Sequence, residues 1–145
     1  EEFGMKVGIV RPYNAYGPRD HFDPEKSHVI AALIKRVLDG ENPINVWGSG
    51  KQTRAFMYVE DLADGMITAI ERYPVPDPVN LGSDDEVSIA DLIKKIVNAA
   101  GVETTIRFDS KGSRSTGGGR GHNLRPISIR THTGERCALN SISET

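Results

Sequence analysis

The chain has 145 residues, 37% of them hydrophobic and 26% charged, with a formal charge of −2 at pH 7. That length suits one ordinary domain with a modest core, and so small a charge points to no polyanionic partner. A single cysteine, Cys137, excludes a disulfide framework and a thiolate metal cluster, and no apolar run approaches the roughly 20 residues that cross a bilayer, so a soluble, cytoplasmic protein is expected.

Met5-Lys-Val-Gly-Ile-Val-Arg11 reads as a short strand: it is β-branched and nearly apolar throughout, which suits a buried central strand of a parallel sheet. A polar loop from Tyr13 to Lys26, rich in Pro, Gly, Asn and Asp, follows; loops of that length between regular elements are more often functional than idle. Ser27 is placed to cap a helix running to about Asp39, with Val29, Ile30, Leu33, Ile34, Val37 and Leu38 on one apolar face and Gly40 at the stop. Two short strands, Ile44–Trp47 and Ala55–Val59, bracket the Gly48-Ser-Gly50 turn and are expected to pair.

Glu60 to Arg72 forms a second helix with acidic residues in its first turn and a cation in its last, as the helix dipole favours. Pro74, Pro76 and Pro78 end it. Val79–Gly82 is a further buried strand. Ser88-Ile-Ala-Asp91 opens a third helix in the manner of a capping box, and Gly101 closes it. Thr104–Phe108 is the last predicted strand. Strands alternating with helices argue an α/β layer structure.

Several side chains could carry chemistry. His28 stands at the start of a helix, after a polar loop and off the apolar face; imidazole can give or take a proton near neutral pH. Its position fits equally a solvated residue that caps the backbone. Arg54 lies between the glycine turn and an apolar strand, beside Trp47 in the expected strand pair. A guanidinium next to an aromatic plate suits a diphosphate and a ring, and also suits plain packing. Lys35 and Arg36 lie on the first helix, where cations are usually solvated.

Other signals are weak. Gly48-Ser-Gly50 lacks the third glycine and following helix of a dinucleotide fingerprint, and Gly117-Gly-Gly-Arg-Gly121 follows no strand. Tyr13, Tyr16, Tyr58 and Tyr73 are followed four residues on by Gly17, Asp20, Leu62 and Asp77, so no Tyr-x-x-x-Lys pair is present. His21, His28, His122 and His132 show no metal-ligand spacing, and no metal site is expected.

Three stretches carry a resemblance. Arg11-Pro-Tyr-Asn-Ala-Tyr-Gly-Pro18 and Trp47-Gly-Ser-Gly-Lys-Gln-Thr-Arg54-Ala-Phe-Met-Tyr-Val-Glu-Asp-Leu62 resemble patterns of the extended short-chain dehydrogenases that act on nucleotide sugars. Between them, Gly17-Pro-Arg-Asp-His-Phe-Asp-Pro-Glu-Lys-Ser-His-Val-Ile30 is similar to the GDP-L-fucose synthase branch. The resemblance runs from about Lys6 to Asp109. It implies the C-terminal part of a Rossmann-type enzyme, residues 1–110 forming its small substrate-binding lobe, with the dinucleotide-binding part absent.

By the same resemblance the reaction is epimerisation of GDP-4-keto-6-deoxymannose on both sides of its ketone, through enolates, followed by reduction with NADPH. His28 matches the acid that returns a proton to the enolate. Arg36, Trp47 and Arg54 match substrate contacts around the GDP diphosphate and sugar. Pro12, Tyr13, Asn14 and Ala15 match the segment bordering the nicotinamide of NADP(H). The partner implied is a GDP-sugar, with no nucleic acid or membrane; the parent would be a homodimer, and this chain alone inactive. Another nucleotide-sugar epimerase or dehydratase, or a non-catalytic sugar-nucleotide-binding remnant, are the alternatives.

After Asp109 the order collapses. Residues 111–145 carry a local charge of +4, against −6 for the first 110, and are rich in Gly, Ser and Thr, too polar to offset ordering entropy. Disorder is expected there. The family pattern breaks at Ser110-Lys-Gly-Ser-Arg114, and two readings compete: a natural flexible tail, or the product of a shifted reading frame. Back-translated and read one nucleotide later, Ile129–Cys137 gives Phe-Glu-Pro-Thr-Leu-Glu-Lys-Gly, which resembles the family's entry into its last helix. An Arg/Gly tail for nucleic acid lacks the interleaved aromatics that such binding uses.

Overall fold

Apolar residues at helical spacing and short β-branched runs give three helices and nine strands among the described residues. The computed structural model describes residues 3–23 and 26–109 and, as backbone only, the strands at 125–130 and 136–141. It divides into two units, one built from Glu1–Gly17, Ala55–Glu86 and Arg120–Thr145, the other from Pro18–Arg54 and Val87–Gly119.

In the first unit, β1 (Ile9–Pro12) runs parallel to β5 (Pro78–Ser83), with Val10 opposite Val79 and Pro12 opposite Leu81. Helix α2 (Val59–Arg72) packs on this pair. Leu62 and Ala69 of the helix bury against Val79 and Leu81, with Met57 beside them. The approach is close: a Cβ on Gly65 would come within 2.7 Å of a Leu81 methyl, so the helix lies on the sheet only because that position is bare. Strand β2 (Asn14–Tyr16), inside the predicted loop, pairs in parallel with β4 (Thr53–Tyr58), setting Tyr16 edge-on to Tyr58 at 5.7 Å.

Two expectations for this unit are corrected. The first strand, Ile9–Pro12, is parallel as predicted, but it is an edge strand and not a buried central one: Ile9 is 41% exposed. Its apolar character reflects residues that this sheet leaves uncovered. The tail, expected to be without regular structure, contains two strands. In β9 (Arg136–Ser141) the backbone pairs antiparallel with β5, and β8 (Arg125–Arg130) pairs with β9 in turn. Alternation at Ile127 and Ile129, a period of two, is the sequence signal that the low apolar content obscured. The Gly-rich stretch 117–121 and Glu135 lie outside the described residues.

The second unit packs α1 (Val29–Leu38) against α3 (Ile89–Ala100), beside a parallel pair of β3 (Ile44–Trp47) and β7 (Ile106–Asp109). Ile30, Ala31, Leu33 and Val37 of α1, Ile44 and Val46 of β3, and Ile89, Leu92 and Ile93 of α3 are all buried. Alternation along β3 sends Ile44 and Val46 inward and leaves Asn45 and Trp47 facing outward. The short β6 (Glu86–Ser88) leads into α3. There the predicted cap forms: the Ser88 hydroxyl accepts from the Asp91 amide at 3.0 Å and donates to its carboxylate at 2.7 Å, and Gly101 closes the helix.

Candidate functional site

His28, Arg36, Trp47 and Arg54 all belong to the second unit. His28, and not Ser27, is the N-cap of α1. Its extended backbone lets its carbonyl accept the Ala32 amide at 2.9 Å, while its side chain makes no capping bond and is exposed. The imidazole is therefore uncommitted at the head of the helix. Ser27 Oγ is buried without a hydrogen-bond partner, a costly state for a hydroxyl.

Arg36, in the last turn of α1, is committed. Its Nε donates to Glu41 Oε2 at 2.6 Å, and its Nη2 donates both to Glu41 Oε1 and to the Asn45 carbonyl at 2.8 Å. The side-chain hydrogen bond is the main reason that the guanidinium is held above its ordinary range and the Glu41 carboxylate below its own, with burial opposing both shifts. Lys35 pairs with Asp39 at 2.7 Å on the surface, where such a pair adds little.

Trp47 ends β3 opposite Asp109 and is 78% exposed. The turn after it is rigidly held. The Gly48 amide donates to the Asp109 carbonyl, and the carbonyls of Gly50 and Gln52 accept the first amides of α3, from Ala90 and Ile89, at 2.9 and 3.0 Å. Gly50 adopts φ 71° with its bare face against the Phe108 ring and the Ala90 methyl, where no side chain fits.

Arg54, in β4, is half-buried, and its side chain makes no hydrogen bond or ion pair among the described residues. The strand pair expected to set it beside Trp47 does not form: β3 pairs with β7, and β4 pairs with β2. The structure thus links Arg36 to β3 two residues before Trp47, but no described polar or ring contact joins His28, Trp47 and Arg54 to one another.

Pro12, Tyr13, Asn14 and Ala15 belong to the first unit. The Tyr13 amide donates to the Leu81 carbonyl at 2.9 Å, and its ring fills the space over Gly82. Asn14 Nδ2 donates to the Ala55 carbonyl at 3.1 Å, and Ala15 lies in the β2–β4 ladder. These groups are thus engaged within the unit itself. Among the described residues no group of His, Cys, Asp or Glu could hold a metal ion, and no helix is long and apolar enough to cross a membrane.

Residues 1–82 match the model of the NAD dependent epimerase/dehydratase family. The chain belongs to that family. It is 40% identical over 113 residues to the putative GDP-L-fucose synthase 2 of Oryza sativa subsp. japonica, covering 75% of this chain and 33% of that protein. It is 37% identical over 109 residues to dTDP-4-dehydro-6-deoxy-D-allose reductase of Streptomyces bikiniensis, with the same coverage. A GDP-L-fucose synthetase structure from Naegleria fowleri superposes with a TM-score of 0.65 at 32% identity, over 72% of this chain and 33% of that one. The α/β architecture is therefore the Rossmann-like one of extended short-chain dehydrogenases, and the chain spans about a third of the length of these relatives.

Sequence reasoning missed Glu41. It lies five residues after Arg36, beyond the i,i+4 spacing that flags helix ion pairs, and meets it only because the chain reverses at Gly40, where φ is 74°.

Proposed function

We propose that this chain supplies the substrate-binding portion of an NADP-dependent, GDP-L-fucose synthase-like enzyme, which epimerises GDP-4-keto-6-deoxymannose on both sides of its ketone and reduces it at C4. The observation that carries the reading is the uncommitted imidazole of His28 at the head of α1, in the unit that also holds the exposed Trp47 and Arg54, whose side chain has no partner among the described residues. The similarity to GDP-L-fucose synthases supports the same assignment.

A general base of the enzyme takes a proton from the carbon beside the ketone; that bond's electron pair moves into a C=C bond and the carbonyl pair shifts onto oxygen, giving an enolate. His28 returns a proton to the opposite face of the carbon; the pair flows back and the centre is inverted. An imidazole can give and recover this proton near neutral pH. Arg54 and the remaining donors of Arg36 meet the diphosphate, and Trp47 presents a flat face to a ring. A nicotinamide dinucleotide, when bound, would supply the hydride for the reduction, and Pro12, Tyr13, Asn14 and Ala15 would border it. The isolated chain is inactive on this reading; a homodimeric parent rests on the family resemblance alone, and a cytoplasmic setting rests on the single cysteine and the lack of a long apolar run in the sequence.

A chimera tests the reading: residues 1–109 replace the matched region of the rice relative, and turnover of GDP-4-keto-6-deoxymannose with NADPH is followed together with product stereochemistry. His28→Ala in that chimera is expected to slow epimerisation by about 10²–10⁴-fold while GDP-sugar affinity stays within about threefold. Unchanged epimerisation contradicts the role given to His28. A second reading, a reductase or epimerase for another nucleotide sugar, draws on the 37% identity to the Streptomyces bikiniensis protein; a chimera preferring a dTDP- or UDP-sugar selects it.

A further inference from the structure

Arg36 has five N–H donors in a fixed plane. Three are spent: Nε and one Nη2 hydrogen on the two oxygens of Glu41, the other Nη2 hydrogen on the Asn45 carbonyl. Only Nη1 is left without a described partner. Glu41 is itself anchored. Its amide donates to the Arg36 carbonyl at 3.1 Å, and its carbonyl accepts the Thr104 hydroxyl at 2.9 Å. The next residue, Asn42, accepts the Thr105 amide at 3.1 Å, and the Ile44 amide returns to the Thr105 carbonyl at 2.8 Å. The carboxylate that grips Arg36 therefore stands on a connector tied to the start of β7, and its grip reaches the backbone of the strand that carries Trp47.

We infer that Glu41 is a positioning residue: it locks the Arg36 fork against β3 so that Nη1 alone is presented to the diphosphate of a GDP-sugar. The inference rests on the proposed function and adds to it a residue that touches no substrate. It divides the labour between the two arginines. Arg54 is the cation whose side chain has no described partner, and Arg36 is a fixed single-edge donor whose charge is already half-answered. A fixed donor costs little ordering on binding, whereas a free arginine loses rotamer freedom when it closes on an anion. A surface ion pair of merely structural value would leave affinity untouched. A simple competitor for the arginine would, on removal, make anion binding tighter. The sign of the effect separates these roles.

The test uses the full 145-residue chain, with Trp47, its single tryptophan, as the reporter of a fluorescence titration with GDP-mannose. Wild type is expected to saturate, and Glu41→Gln to bind about 5- to 10-fold more weakly although it removes a negative charge. The double variant Arg36→Ala/Glu41→Gln should bind no more weakly than Arg36→Ala alone, because Glu41 acts through Arg36. If Glu41→Gln fails to fold by circular dichroism, Arg36→Lys, which keeps the charge and loses the fork, should show the same weakening. Tighter or unchanged binding in the folded variant overturns the role of Glu41 and leaves the proposed function standing. No saturation by wild type overturns both.

Discussion

The carboxylate of Glu41 ionises more readily than an ordinary glutamate, with its usual value of 4.5 lowered chiefly by the hydrogen bond from Arg36. A group whose pKa falls on folding adds stability that is complete above its unfolded pKa and is lost as pH drops through the folded one. Glu41→Gln should therefore be less stable than wild type near neutral pH, and the two should converge as pH falls through the lowered pKa of Glu41, beneath its ordinary 4.5. Urea midpoints across a pH series check this; a gap independent of pH contradicts it. At this scale the sequence displayed the actors unevenly. His28, Trp47 and Arg54 announce themselves by residue type and by the motifs around them. Glu41 does not, because its partnership needs a chain reversal that no spacing rule encodes. Ser27 was the better cap by residue type, yet the helix begins one residue later and takes the carbonyl of His28.

Helix α3 shows how far local chemistry reaches. Ser88 and Asp91 were legible as a cap and Gly101 as a stop, and all three behave so, since every partner lies within four residues along the chain. Ser88→Ala is expected to destabilise the chain by about 1 kcal/mol, read as a lower urea midpoint; no shift contradicts the cap's contribution. Strand partnerships were less legible. Trp47 and Arg54 flank one turn and suggested a hairpin, but β3 and β4 turn to separate parallel partners, β7 and β2. Parallel pairing joins segments distant in sequence, so adjacent residues carry little information about it. The predicted first strand had the right direction relative to β5 and the wrong burial, because an apolar run records what a strand can bury, not which neighbours are present.

Across the whole molecule, each of the two units has buried residues of its own. The sheet of the first unit has the order β1-β5-β9-β8, so the backbone of residues 136–141 covers an edge of β5 that would otherwise be open. Open edges template association. A chain truncated after residue 110 should scatter more light on warming and exchange the amides of Val79–Ser83 faster than the full chain; equal behaviour in both contradicts this pairing. The tail strands escaped the sequence reading because a Gly- and Ser-rich stretch of low apolar content argues for disorder, while a strand added to an existing edge needs only backbone groups and a brief alternation.

The account depends on the second unit recognising a GDP-linked sugar. Its most direct measurement is a titration of the intact chain with GDP-mannose and, in parallel, with UDP-glucose and dTDP-glucose, read by the emission of Trp47. A saturable change with GDP-mannose, at least about tenfold tighter than with the other two, is the predicted result. No response to any of them, or equal affinity for all three, contradicts it.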